Sequence, residues 1–343
     1  MTNAGNLDIG PLGEELEAGV AYFSGLREVD KFDNGQSNPT YLLKADSGRY
    51  VLRAKPPGTL LKSAHQVDRE FRIMRALSGS GVPVPAMLYL SEDDSSIGRM
   101  FFVMEYLDGR IFWKPQLTEC DIAERAAIYD AMNATLATLH DIDPGAVGLE
   151  DFGRPGNYFA RQLNRWTKQY RASETDTISD MESLIRWLEE NLPDDDGQVS
   201  LVHGDYRIDN MIFAHDSPTI VGVLDWELST IGHPLADLAY QCMQWRLPHD
   251  SGFRGLGGID REEIGLPSEE DYVLAYCDRR NIGTIDEWPF YLAFSFFRLA
   301  AILQGILKRA IDGNASNPRQ SKEMVLSIPV LCAMALDIVN GRQ

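Results

Sequence analysis

Residues 201–214 read LVHGDYRIDNMIFA, and residues 223–227 read VLDWE, so a polar cluster lies between short apolar runs. The runs Leu201-Val202 and Met211-Ile212-Phe213 have the length and apolar character of buried strands. His203, Asp205 and Asn210 therefore fall on the loop between two strands. A third buried run, residues 220–224, delivers Asp225 at its end, with Glu227 two residues on. A His-x-Asp tripeptide alone is usually a turn in which the Asp caps backbone amides. All five polar residues, in this order and in this strand context, form a much rarer combination than that tripeptide.

The residue types point to one chemistry. Phosphoryl transfer needs a carboxylate to orient a hydroxyl nucleophile and accept its proton, and oxygen ligands for the magnesium that bridges the phosphates. Asp205, Asn210 and Asp225 supply that set. The spacing His-x-Asp-x4-Asn equals that of the protein-kinase catalytic loop, where a metal-binding Asp arrives on a later strand end. The loop reads His-Gly-Asp where protein kinases have His-Arg-Asp, and the later motif reads Asp-Trp-Glu where they have Asp-Phe-Gly. On these residues the chain resembles the aminoglycoside phosphotransferase and choline kinase superfamily.

That resemblance implies an α+β, two-lobed protein-kinase-like fold, with a small antiparallel-sheet N-lobe at residues 1–107 and a larger, mainly helical C-lobe at 108–343. It implies ATP and Mg2+ as cofactors, Asp205 as the catalytic carboxylate, His203 as the residue that orients the loop, and Asn210, Asp225 and Glu227 as metal ligands. Asp237 resembles the family's acid that braces the catalytic loop from a following helix. A helix N-terminal charge is the alternative for it.

Upstream, residues 34–53 read as a glycine-bearing loop, a strand at 40–43, a turn at Asp46-Ser47-Gly48 and a strand at 50–53, which makes a hairpin. In the kinase arrangement such a hairpin covers the phosphates, and its second strand ends in a cation, usually Lys. The matching residue here is Arg53, whose guanidinium can pair with phosphate bidentately, and Lys55 is a competing candidate. Residues 63–77 follow with Val67, Phe71, Met74 and Leu77 at helical spacing and Ser63 as a candidate N-cap. Glu70 on this helix is, by resemblance, the partner of the strand cation; a solvated helix charge is the alternative. Residues 86–90 and 100–106 read as two further strands. By resemblance Glu105, Tyr106 and Leu107 line the nucleotide pocket, and the alternative is an ordinary strand with a turn after it.

From residue 118 onward the pattern is helical apart from the strands around the loop, with helices expected at 122–140, 158–170, 178–191, 268–280, 287–308 and 322–339. Residues 246–267 carry Gly252, Gly255, Gly257 and Gly258 and read as a flexible loop. His140, His215 and His249 read as surface or helix-end residues, and His65 and His233 stay open.

The balance of 343 residues, 44% hydrophobic and 24% charged, fits an ordinary globular chain. A net charge of −19 argues against nucleic acid or an anionic membrane as partner, since both are bound through clustered Lys and Arg. No export signal opens the sequence, no uncharged run reaches the roughly 18 residues of a membrane span, and the four cysteines are scattered, so a reduced cytoplasm is expected.

Within the superfamily, the phrases VLRAKPPG at 51–58, SAH at 63–65 and LDWELSTIG at 224–232 are similar to the kinase domains associated with acyl-CoA dehydrogenases. The resemblance implies a small-molecule hydroxyl acceptor, a hydroxyacyl-CoA or hydroxy acid, and a functional link to an acyl-CoA dehydrogenase. Two alternatives stay open: an aminoglycoside or choline-type kinase acting on a cationic acceptor, which an acidic cleft suits, and a nucleotide-binding scaffold without turnover.

Overall fold

Asp46 and Ser47 turn the chain between β2 (Thr40–Ala45) and β3 (Gly48–Ala54), with Gly48 at a positive φ of 139° directly after the turn. With β1 (Leu26–Lys31), β4 (Met87–Leu90) and β5 (Phe101–Glu105) they form one antiparallel sheet in the order β1-β2-β3-β5-β4. The computed structural model describes residues 7–32, 38–57, 66–92, 95–312 and 327–342. It divides into two compact units. One comprises Met1–Ile111, Val147–Leu149 and Asp209–Ser229; the other comprises Phe112–Ala146, Glu150–Ile208 and Thr230–Gln343.

In the first unit, strand alternation decides where Arg53 goes. Successive side chains leave opposite faces of a strand. Leu52 and Ala54 enter a core with Leu43, Phe101 and Val103 and with Leu12 and Leu16 of α1 (Ile9–Gly19). Each fully buried leucine there contributes about 1.5–3 kcal/mol relative to exposure. Arg53 points to the other face, which α2 (Val67–Leu77) covers as it packs on β4 and β5. Val67, Phe71, Met74 and Leu77 of α2 are buried, as their spacing requires, and Phe71 meets Phe102 with ring centroids 6.2 Å apart. The candidate cap Ser63 lies outside the described residues, as do residues 33–37 of the glycine-bearing loop and His65. The helix begins after Gln66, which makes no side-chain cap bond.

The first unit also takes in β7 (Met211–Phe213) and β8 (Ile220–Val223), an antiparallel pair. Arg110 and Phe213 exchange backbone hydrogen bonds of 2.7 and 2.9 Å, and the Arg110 side chain donates to the carbonyls of Ala214 and Ser217. Gly222 on β8 sits so close to Leu107 that a Cβ there would overlap its side chain.

The second unit is mainly helical. It holds α3 (Ile122–Asp141), α4 (Tyr158–Ser173), α5 (Ser179–Glu190), α6 (Leu235–Met243), α7 (Glu269–Arg280), α8 (Trp288–Ile311) and α9 (Ser327–Val339), and a two-stranded pair of β6 (Ser200–Val202) with β9 (Thr230–Gly232). Apart from α6, these helices follow the expected spans within a few residues, except that 322–326 lie outside the described residues. Asp121 caps α3 by accepting from the N–H of Glu124 at 2.8 Å, and Ser268 caps α7 from Asp271 at 3.0 Å. The core is built around α8, which packs on α4, α5, α6 and α9. By length and composition α8 could cross a membrane, but 83% of its most apolar stretch is buried in the unit, as befits a core helix. Residues 246–267 are irregular, as expected, yet pinned: Leu256 donates to the Gln244 carbonyl and Gly257 to that of Leu247, both at 2.8 Å. Gly255 allows this, since a side chain there would collide with the Leu247 carbonyl.

Candidate active site

Arg53 stands at the end of β3, where Thr40 is its cross-strand neighbour on one side and Phe102 on the other. Its Nε lies 2.9 Å from Glu70 Oε2, its Nη2 lies 2.6 Å from Asp225 Oδ1, and Glu227 Oε2 is 3.7 Å from the same Nη2. Asn38, itself buried, donates to Glu227 Oε2 at 3.4 Å. One guanidinium thus faces three carboxylates. Glu70 is 2% exposed, which rules out a solvated helix charge. Burial pushes its carboxyl up to about 8, with Arg53 pulling against that shift and Asp225 and Glu227 adding to it. Burial alone would lower the Arg53 pKa, but the three carboxylates raise it above its ordinary value. Lys55, the competing cation, lies just past the strand, its N–H bonded to the Met100 carbonyl at 3.0 Å.

The β7–β8 register sets Asn210 beside the Asp225 segment. Met211 pairs with Val223, and Leu224 donates to the Asn210 carbonyl at 2.8 Å, so Asn210 and Asp225 flank the same end of the ladder. Asp225 has φ +66° and ψ +56°, a left-handed conformation that non-glycine residues seldom adopt and that persists only where the surroundings hold it. Its side chain is 31% exposed and that of Glu227 26%. Two partly exposed carboxylates and a carboxamide fit magnesium, which takes a few protein oxygens and completes its shell with phosphates and water. Among the described residues, no three His, Cys, Asp or Glu side chains gather into a closed metal cage.

At the end of β5, Glu105 is exposed; its N–H donates to the Ala86 carbonyl at 2.9 Å and its Oε2 accepts from the Ala86 N–H at 3.3 Å. The Arg49 guanidinium covers the Tyr106 ring at 4.1 Å from its centroid. Leu107 packs on Gly222.

The chain passes from the second unit to the first between Ile208 and Asp209, so His203 and Asp205 belong to the helical unit. His203 is fully buried, and its Nδ1 accepts from the Asp205 N–H at 3.1 Å. Asp237 on α6 is also fully buried: Oδ2 accepts from the His203 N–H at 2.6 Å and Oδ1 from the Gly204 N–H at 2.8 Å. It braces the loop and is not a mere helix-terminal charge. Burial by itself would raise the Asp237 pKa, but His140 and the loop hold it below the ordinary carboxylate value. Gly204 takes φ +87°, and its carbonyl accepts from Arg298 Nη2 on α8 at 2.6 Å. Tyr240 donates its hydroxyl to Asp205 Oδ1 at 2.7 Å.

Tyr240 and Arg298 carry no sequence signal of their own. Tyr240 was findable only as the residue three places after Asp237 on one helix, hence on the same face. His140 requires a correction: it ends α3 but is buried, with Nδ1 2.6 Å from the Tyr276 hydroxyl and Nε2 3.4 Å from Asp237. Its position on a helix end concealed that α6 and α7 close over it. His215 and His249 are exposed, as expected. His233 is buried, stacked on Tyr291 and 3.1 Å from Asp196.

Residues 28–272 match the family model described as the phosphotransferase enzyme family. A mouse protein named acyl-CoA dehydrogenase family member 10 is 50% identical over 295 residues, which cover 86% of this chain but 28% of that relative. A crystal structure from Ralstonia eutropha, named for the aminoglycoside phosphotransferases, is 44% identical with a TM-score of 0.88 and covers 98% of this chain and 99% of its own. A thermostable mutant of aminoglycoside phosphotransferase APH(4)-Ia, in ternary complex with AMP-PNP and hygromycin B, shares the fold at 15% identity and a TM-score of 0.63, covering 96% of this chain and 99% of its own. The match over residues 28–272 and the 44% identical structure show that the chain belongs to the phosphotransferase enzyme family.

Proposed function

We propose that this protein is an ATP-dependent kinase that transfers the γ-phosphate to the hydroxyl of a small molecule. The observation that carries this reading is Arg53, held between Glu70 and Asp225, because a β3 cation fixed by a helix carboxylate is how kinases steady nucleotide phosphates. The AMP-PNP complex of the structural neighbour supports ATP as the donor. In this reading Asp205 orients the acceptor hydroxyl and takes its proton, His203 sets the loop, and Arg53 steadies the phosphates. Glu105, Tyr106 and Leu107 offer main-chain groups and side chains to the nucleotide base. Asn210 and Asp225 would hold magnesium, with Glu227 assisting, and the metal would neutralise charge developing on the phosphates.

The acceptor we propose is a hydroxyacyl-CoA or hydroxy acid, supported by the name of the mouse relative and by the shared phrases at 51–58 and 224–232. The net charge of −19 favours the second reading, a cationic acceptor. Thermal stabilisation by ATP with and without magnesium tests the nucleotide half: at 100 times its dissociation constant the ligand should add about 2.7 kcal/mol, magnesium-dependent and lost in Asp225→Ala. Asp205→Asn should keep that stabilisation while turnover falls roughly 10²-fold or more. Unchanged turnover would sink the role of Asp205, and a screen of hydroxyacyl-CoAs against aminoglycosides separates the acceptors.

A further inference from the structure

The helical unit contains a cavity of about 630 Å³ between the 246–267 loop, α7 and the start of α8, none of whose lining residues belongs to the phosphotransfer motifs. Its volume lies within the roughly 300–1,000 Å³ of small-molecule sites. Trp245, Leu274 and Trp288 give it an apolar wall, and Arg246 and Arg261 a cationic one. Leu274 is 46% exposed.

The wall carries two arginines and two glutamates, of which Arg246 and Glu269 are joined as an ion pair. Glu269 is already committed, since its Oε1 accepts from Arg246 Nη2 at 3.1 Å and from Trp288 Nε1 at 2.8 Å. Glu270 is exposed at the first turn of α7. Arg261 is half-buried and its side chain makes a single hydrogen bond, Nη1 to the Trp245 carbonyl at 3.4 Å, with no carboxylate at ion-pair distance among the described residues. A guanidinium carries five donors. In a chain with 51 Asp and Glu against 32 Lys and Arg, a cation left without a carboxylate at a cavity wall calls for a ligand anion. The Arg261 Nε is itself buried without a hydrogen-bond partner among the described residues, which adds to the same demand.

We propose that this cavity binds an organic anion: a carboxylate or phosphate monoester, held by Arg261, on an aromatic or acyl body that lies against Trp288 and Leu274. Trp245 lies in the turn just after α6, the helix whose Tyr240 touches Asp205. The site does not depend on the proposed reaction, and its test reads binding alone.

Calorimetric titration of the full chain with phenyl phosphate, phenylacetate, inorganic phosphate and phenol resolves it. At least one of the first two should bind about tenfold more tightly than inorganic phosphate and than phenol, and the tighter of the two names the head group. Arg261→Gln should weaken that binding about tenfold without moving the thermal midpoint. Leu274→Glu, at an exposed position, should abolish it by setting a carboxylate in the cavity. Saturating Mg-ATP should leave the affinity unchanged. Equal affinity in wild type and Leu274→Glu, displacement by Mg-ATP, or no binding of either compound at millimolar concentration would each overturn the proposal.

Discussion

Asp225 and Asp237 both follow the loop at 203–210, yet they are held in contrary ways. Asp237 has no exposed surface and accepts from two backbone N–H groups at 2.6 and 2.8 Å, with His140 beside it. Asp225 is 31% exposed, sits in a left-handed backbone conformation and has a side-chain cation, Arg53, as its close partner. Backbone donors are fixed by the fold and cannot be exchanged. A guanidinium can be drawn away by phosphate, leaving the carboxylate for a metal. The difference separates a carboxylate that sets geometry from one arranged to change partners.

The largest effect that could break this comparison is on stability. Asp237→Ala should cost about 3–5 kcal/mol, because removing one partner from a buried charged network strands the others. Asp225→Ala, at a partly exposed position, should cost no more than about 1 kcal/mol. Urea unfolding of the two variants decides it, and a larger loss from Asp225→Ala than from Asp237→Ala would reverse the assignment.

A smaller effect sharpens the exchange side. The Glu70 carboxyl is raised by burial from 4.5 to about 8, so the folded protein binds this proton more readily than the unfolded chain. Its contribution is fully present below about pH 4.5 and is lost as pH rises through about 8, where the buried group must ionise. The melting temperature of Glu70→Gln should therefore gain on wild type as pH rises across that window. Parallel profiles would mean that Arg53 keeps Glu70 ionised throughout.

Much of this was legible in the sequence. The β2–β3 hairpin, the α2 face and the order of the loop residues follow from local periods and turn chemistry, whereas Arg53 and Glu70 were singled out on these elements by resemblance. The bracing of the loop was legible only in part, since Asp237 was suggested by resemblance with a helix charge as its equal. What was not legible depends on contacts between distant segments. The burial of His140 comes from Tyr276, 136 residues away, and the Gly204 carbonyl is bound by Arg298, 94 residues away. No local pattern encodes either contact. The α1 helix and β1 edge strand were missed because their apolar residues are few, and they are stabilised by the core they share with β2, β3 and β5.

The smallest effect tests whether Tyr240 belongs to the fixed side of the comparison. Its hydroxyl donates to Asp205 Oδ1 at 2.7 Å, and burial raises its pKa above the ordinary phenol value, so it stays a neutral donor at working pH. Tyr240→Phe removes one hydrogen bond while keeping the ring, a net change of about 1 kcal/mol. If Tyr240 only positions Asp205, kcat should fall about fivefold, with nucleotide affinity and KM for the acceptor near their wild-type values, since 1.4 kcal/mol is tenfold. A loss as large as that of Asp205→Asn would instead place the hydroxyl among the groups that touch the reacting atoms. The catalytic carboxylate would then, like Asp225, be one that exchanges partners during turnover, and the fixed side of the comparison would retreat to Asp237 and the backbone it holds.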